Sequence, residues 1–392
     1  ILIIDNADQF DLEVQEKVFL FANSLNRSAL CGIFIALREG YYYKWRFRPP
    51  FNAFASNVYH VTAPPYSEVL QKRISYALKK VKLSEKVSGV TIKGFKLTID
   101  NQNIIEFLHG LQSSLFDGNN QKIIDFLNYS TFPNIREGLK LFKLFLTSGY
   151  TDVHEYILRV RFNQIEAKIS IPIHEFIKSI GLYNKLYYNR DISIIPNLFY
   201  PCENSSDHFL KLGILKYLLL KFEQGGNISK FERYYALVEE FVNFGYRVDI
   251  INRAISELLI SELIESDEII SDVKWYQLPE KDFNLSISSK GHYYTKELKN
   301  RFHYLDMVLQ DTPIFDSCWF SKLKSVFPNS NEDGKRNIEG RKTTVLTFLG
   351  YLKDQEKIQS RALLQKLGSI TEEIEIMGLN QDINQIENRF IK

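Results

Sequence analysis

Cysteine is scarce: Cys31, Cys202 and Cys318 are the only three in 392 residues, and no two form a Cys-x-x-Cys pair. That argues against a disulfide framework or a cysteine zinc site and leaves free thiols suited to a reducing cytosol. No apolar run reaches the length of a membrane span; Ile214 to Leu220, for example, is broken by Lys216 and followed by Lys221. A secretory leader is missing as well, so the expected location is cytoplasmic, with no membrane partner. Charge of one sign is also lacking. The formal net charge is +2, so there is no global basic field of the kind that drives non-specific nucleic-acid binding. His154-Glu155 and His174-Glu175 begin like a zinc-protease helix but lack the second histidine one turn later, and both are expected to be surface or capping residues. Neither a G-x-S-x-G elbow nor a cysteine–histidine pairing is present.

What remains is ordinary globular material, 45% hydrophobic and 24% charged, which speaks against wholesale disorder. The length allows two to four domains. Ile1 to Ile4 is a short apolar run, the pattern of a central parallel strand covered on both faces. The chain begins with Ile, already inside that run, so further sequence is expected upstream. Asp11 to Leu25 has helical spacing, and Cys31 to Leu37 reads as a second buried strand. Strand, helix and strand in about forty residues make one βαβ unit. A third strand is expected at Val58 to Val61, stopped by Pro64-Pro65.

Beyond Pro65 the pattern turns helical. Helices are expected from Glu68 to Lys82 with Ser67 as cap, at Ile104 to Phe116, at Lys122 to Leu127, and from Asn134 through Leu146. Asp207 to Phe222, Lys230 to Phe244 (capped by Ser229) and Asp249 to about Glu265 form a run of three more. Strands at Val273 to Leu278 and Leu285 to Ser288 follow, and three helices before a two-stranded ribbon is the winged-helix order. Ser289 opens another helix, Asn329 to Gly340 is a polar linker candidate, and the last fifty residues are amphipathic. The expected fold is mainly α with an α/β portion.

Chemistry concentrates near the start. An apolar strand ending in Asp is how P-loop ATPases hold magnesium, because the carboxylate stands at the strand's carboxyl end beside the ligand crevice. Asp5 has that place, and Asp8 and Gln9 in the following turn can orient water. Arg38 leaves the next strand at the same sheet edge, where it can reach a terminal phosphate. Arg136, after Pro133-Asn134, opens a helix where a second phosphate-sensing arginine would sit. Taken singly, each residue is as well explained by a polar turn or a salt-bridged surface; their order and spacing favour the ATPase reading. No G-x-x-x-x-G-K-[ST] loop occurs, and Asp333-Gly334-Lys335-Arg336 is a poor imitation in a polar stretch. Without that loop the amides and lysine that cradle phosphates are lacking, so these residues alone should not bind ATP well.

Taken together, these residues resemble the Walker B to lid portion of AAA-type ATPases of the STAND class. Asp5-Asn6-Ala7-Asp8-Gln9 follows the family's Walker B ending, except that Gln9 replaces the usual Glu, which an amide cannot match as a general base. Val61 to Arg73 resembles the sheet-to-lid junction, and a winged helix is the family's usual next domain. Tyr304 to Pro313 also resembles a segment of bacterial proteins of this type, without an evident chemistry.

The resemblance implies ATP and Mg2+ as cofactors in the intact protein. It assigns Asp5 to magnesium, Asp8 and Gln9 to water, and Arg38 and Arg136 to phosphate sensing. It also implies partners: nucleotide, further copies in a nucleotide-dependent oligomer, or an effector domain or protein, with antiviral defence as a setting. The implied domains are 1–65 (second half of the ATPase core), 66–150 (helical lid), 151–205 (helical linker), 206–312 (winged helix) and 313–392 (helical extension).

The alternative is a non-enzymatic winged-helix DNA-binding regulator, or a helical scaffold with a degenerate ATPase core. The third helix of the winged-helix run mixes Arg247 and Arg253 with Asp249, Glu257, Glu262 and Glu265, so a bracing role suits it better than groove reading. Lys290 and Lys296 keep nucleic acid among the partners to test.

Overall fold

The computed structural model describes residues 1–7, 10, 12–29, 31–37, 49–53, 57–83, 90–92, 95–97, 101–116, 121–131, 134–148, 173–203, 207–224, 231–267, 278, 282–327, 334–359, 361–377, 379 and 382–384. The protein is mainly helical with small sheets. It divides into two compact units, Ile1–Thr62 with Ser266–Asn284, and Ala63–Glu265 with Leu285–Lys392. No helix is long and apolar enough to cross a membrane among the described residues.

The smaller unit holds a βαβ element. Strand β1 (Leu2–Ile4) pairs in parallel with β2 (Ile33–Ile35), Ile3 opposite Phe34, and helix α1 (Leu12–Ala29) makes the crossover. Helix α1 buries Ala22 and Gln15, and the Gln15 amide donates to the Phe10 carbonyl at 2.7 Å. Phe19 packs on Phe51 with ring centroids 4.7 Å apart. The strands are not the doubly covered ones that a continuous apolar run suggests. Ile1 is 92% exposed and Ile3 67%, and Phe34 and Tyr59 are also open. The apolar run is there, but the described residues supply a second layer on one side only. Val58 to Val61, expected as a strand, is irregular and exposed, pairs with no strand among the described residues, and brings the Tyr59 ring within 6.3 Å of Phe34.

The larger unit begins with α2 (Tyr66–Leu83), a hairpin of β3 (Val90–Ile92) and β4 (Phe95–Leu97), α3 (Asn101–Phe116), α4 (Gln121–Thr131) and α5 (Ile135–Thr147). Leu70, Ile74 and Leu78 recur at helical spacing and form the buried stripe of α2. The Ser67 amide, inside its first turn, donates to Asn128 of α4 at 3.0 Å. Asn134 caps α5 by accepting from the Glu137 amide at 3.1 Å. One turn in, Gly138 lies under the Tyr66 ring; a side chain there would occupy the ring's place, so α2 and α5 touch only because that residue is glycine.

Helix α6 (Ile173–Gly181) joins this layer through aromatic rings. Phe126 meets Phe176 edge-on at 5.7 Å, and Phe176 also packs on Phe145 at 5.0 Å. All three rings are almost completely buried, each contributing roughly 1.5–3 kcal/mol of transfer free energy. His154 and Glu155 lie outside the described residues.

Helix α7 (Leu210–Gln224) is the unit's axis, buried over every residue from Leu210 to Leu219. The two lysines that interrupt its apolar run are both engaged. Lys211 pairs with Glu257 at 3.0 Å and Lys216 with Glu373 at 2.6 Å. Around it lie β5 (Glu232–Arg233), α8 (Tyr234–Asn243), α9 (Val248–Ile260), β6 (Ile264–Ser266), β7 (Asn284–Ile287) and α10 (Ser289–Lys296). The sheet runs in the order β5-β7-β6. Helix α9 stops at Ile260, short of the expected Glu265, because Glu262 takes a left-handed φ of 58° and releases the chain into β6. The ribbon's first strand is therefore 264–266; the expected one at 273–278 falls outside the described residues apart from residue 278, which has no regular structure. Ser288 caps α10, and Gly291 sits against the Leu263 carbonyl, where any Cβ would collide. Ser229, the expected cap of the helix observed as α8, is outside the described residues.

The chain then forms a short 3-10 turn at Leu298–Asn300, α11 (Phe302–Val308), α12 (Ser317–Val326), α13 (Gly334–Gln359), α14 (Arg361–Leu367) and α15 (Ile370–Met377). The polar stretch expected as a linker to Gly340 is already helical from Gly334. Val345, Phe348, Leu349 and Leu352 further along α13 are buried and hold it as one helix.

Candidate functional site

Asp5 follows β1 directly, at the carboxyl end of a strand whose parallel partner is one crossover away. Its side chain is exposed, and one carboxylate oxygen accepts from the Asn6 amide at 2.8 Å. Asn6 has a left-handed φ of 61°, a conformation asparagine tolerates, and the turn carries the chain into buried Ala7. Asp8, Gln9 and Arg38 lie outside the described residues. Among the described residues no group of three His, Cys, Asp or Glu side chains could hold a metal ion. A solvent-facing carboxylate such as Asp5 suits magnesium in the manner where substrate phosphates and water complete the shell. Asp5 fits that role and no closed metal cage.

Arg136 belongs to the larger unit. It stands in the first turn of α5, exposed, behind the Asn134 cap. Asp5 belongs to the smaller unit.

The larger unit also contains charged groups that no sequence motif marks. Arg341 of α13 grips Asp306 of α11 with two hydrogen bonds, the Nε one at 2.9 Å. His303 is buried one turn earlier on α11, and His174 of α6 lies against it with ring centroids 4.8 Å apart. His174 is therefore packed against another helix and is not the surface or capping residue its sequence context suggested. Burial drives the His303 imidazole well below its ordinary range, and His174, Lys178 and Arg341 push the same way. Burial, with Arg341 close by, pulls the Lys178 ammonium down to about 7 against the opposing pull of Glu175. His208 is held neutral as well. Its Nδ1 donates to the Phe199 carbonyl at 2.7 Å, its Nε2 accepts from the Tyr351 hydroxyl at 2.8 Å, and burial lowers its pKa to about 4.

Three links, at Glu373, Asp382 and Glu356, fasten the helices that follow α13. Glu373 of α15 accepts from Lys216 at 2.6 Å and from Lys299 at 2.5 Å. Burial works to raise the Glu373 carboxyl, but those two hydrogen bonds outweigh it and hold it below the usual range. Asp382, fully buried, takes Arg301 at 3.1 Å and the Phe302 amide at 3.2 Å. Glu356 accepts from the Ile370 amide at 2.6 Å and from the Thr371 hydroxyl, capping α15.

The Tyr304 to Pro313 segment acquires a structural part. The Tyr304 hydroxyl donates to the Pro196 carbonyl at 2.9 Å, and Asp311 accepts from the Arg190 amide at 2.9 Å. Asn197 donates to the Val308 carbonyl at 3.1 Å and to the Thr312 hydroxyl at 2.9 Å. The segment is the seat of the loop that runs from Leu182 to Glu203. On α9, Arg247 pairs with Asp249 at 2.7 Å, and Arg253 donates to the Cys202 carbonyl at 2.6 Å. Lys296 of α10 pairs with Glu223 at 2.9 Å. No family model, curated protein or solved structure matches the chain.

Proposed function

We propose that these residues are part of a STAND-class, AAA-like ATP-binding switch. The observation that carries the reading is Asp5, exposed at the carboxyl end of a strand in a parallel βαβ element. In this reading 1–65 is the second half of the nucleotide core, 66–150 the lid, 151–205 a linker, 206–312 the winged helix and 313–392 a helical extension. Helices α7, α8 and α9 with a sheet ordered β5-β7-β6 support the winged-helix assignment. Open apolar side chains on β1 and β2 support a larger sheet in the working protein.

Asp5 is assigned to magnesium, Asp8 and Gln9 to the attacking water, and Arg38 and Arg136 to phosphate. Magnesium, when bound with ATP, would neutralise charge on the phosphates. With Gln9 in place of a carboxylate, the water is oriented but not deprotonated, which suits a slow switch. The phosphate loop would come from outside these 392 residues. Oligomerisation or an effector would read the nucleotide state in the cytoplasm, with antiviral defence as the setting the resemblance suggests.

The second reading, a helical scaffold with a degenerate core, is favoured by the absence of a phosphate loop from the sequence. The DNA-reading form of it is weakened, because Arg247, Arg253 and Lys296 are all engaged within the protein. Nucleotide binding by the full-length protein separates the two. Asp5→Ala should weaken magnesium-dependent ATP binding at least about tenfold under the first reading, and no nucleotide should bind under the second.

A further inference from the structure

The larger unit holds a partly open pocket whose interior space is about 10 Å³, that of a single water. Its walls come from α4, α5, α6, the loop after α6 and α10, and Ser130, Glu137 and Lys290 bring polar groups to it. Ser130 is 4% exposed, and its hydroxyl has no hydrogen-bond partner in the protein. A helical hydroxyl usually returns to the carbonyl one turn back, as Thr131 does to Leu127 at 2.6 Å. Ser130, the residue before it, does not. Buried hydroxyls are rarely left in that condition, so a partner from outside the protein's own groups is called for.

The lining defines that partner. Lysine only donates, a carboxylate only accepts, and a hydroxyl does either. The occupant must therefore accept and donate at once within the size of one heavy atom. A halide cannot donate to Glu137, an ammonium ion cannot accept from Lys290, and phosphate or acetate does not fit. A serine–lysine nucleophile pair is excluded by the same volume, because no substrate atom has room to approach Ser130.

We propose that this cavity is a binding site for one ordered water that bridges Ser130, Glu137 and Lys290. Glu137 directly follows Arg136 on α5, so the water ties the helix carrying Arg136 to α10. Burial lowers the Lys290 ammonium, opposed by Glu262 and Glu137. The proposal stands whether or not the protein binds nucleotide.

A high-resolution crystal structure of the full-length protein tests it. One peak of water density is expected within about 2.6–3.2 Å of the Ser130 hydroxyl and of Glu137 or Lys290. A cavity without density overturns the proposal. Thermal midpoints of Ser130→Ala, Lys290→Met and the double variant provide a second arm. A shared water makes the double variant lose clearly less than the sum of the two single losses. Additive losses overturn the bridge.

Discussion

In the larger unit α7 is buried from Leu210 to Leu219 and even its lysines have carboxylate partners, whereas in the smaller unit Ile1 and Ile3 face solvent. The contrast lies in layers, not in composition. Both regions carry continuous apolar runs, but the described residues surround α7 on all sides and cover β1 and β2 on one. An apolar run reports only that a segment can be buried; whether it is depends on how many neighbours the chain provides. The larger unit goes further and buries ion pairs. Such pairs gain little over apolar packing, but breaking one is costly, so they specify which helices meet.

This contrast can be broken or sharpened by substitution. The largest effect is expected at Asp382→Ala, which leaves Arg301 and the Phe302 amide without their buried acceptor. A loss of about 3–5 kcal/mol should appear in urea unfolding. A change below 1 kcal/mol would mean that residues near 382 do not belong to the core.

The next effect is pH dependence from Lys178. Its folded pKa of about 7 lies below the ordinary lysine value of 10.5, so between those values the unfolded chain binds more protons. Stability of the larger unit should therefore rise as pH increases from about 7 towards 10, and be lowest below 7. Urea midpoints at three pH values, with and without Lys178→Met, measure this; a slope that survives the substitution belongs to another group. Asn197→Ala is expected to cost about 1–2 kcal/mol, because two buried hydrogen bonds to the Val308–Thr312 turn are lost. A protease should then cut the 182–203 loop sooner.

The smallest effects are expected where side chains are open. Ile3→Ala and Arg136→Ala should each change stability by less than about 0.5 kcal/mol. A loss of about 2 kcal/mol at Ile3 in these 392 residues would remove the contrast between the units; in the full-length protein it would show the covering layer that the proposed larger sheet supplies.

The course of the larger unit was readable wherever local signals agree. Asn134, three residues before Glu137, marks the start of α5, and Ser289 opens α10 as expected. The βαβ element was readable from the Ile1–Ile4 run and the periodicity of α1. What could not be read depends on long-range partners. Glu262 ends α9 through a left-handed turn that its side chain does not advertise. The β3–β4 hairpin had only a weak signal, a Lys93-Gly94 pair between two short β-branched or aromatic stretches. Arg341 with Asp306 and His174 with His303 join residues far apart in sequence, and no spacing rule finds them. Of the site, Asp5 and the placement of Arg136 at a helix start were legible. The proposed roles of the two concern ligand binding, which no fold element reports.

The central claim is that Asp5 belongs to a nucleotide site. Calorimetric titration of the full-length protein with ATP and magnesium, wild type against Asp5→Ala, tests it most directly. The account predicts binding by the wild type and at least about a tenfold weaker affinity for the variant, equivalent to roughly 1.4 kcal/mol. Equal affinities, or no binding by the wild type, would contradict it.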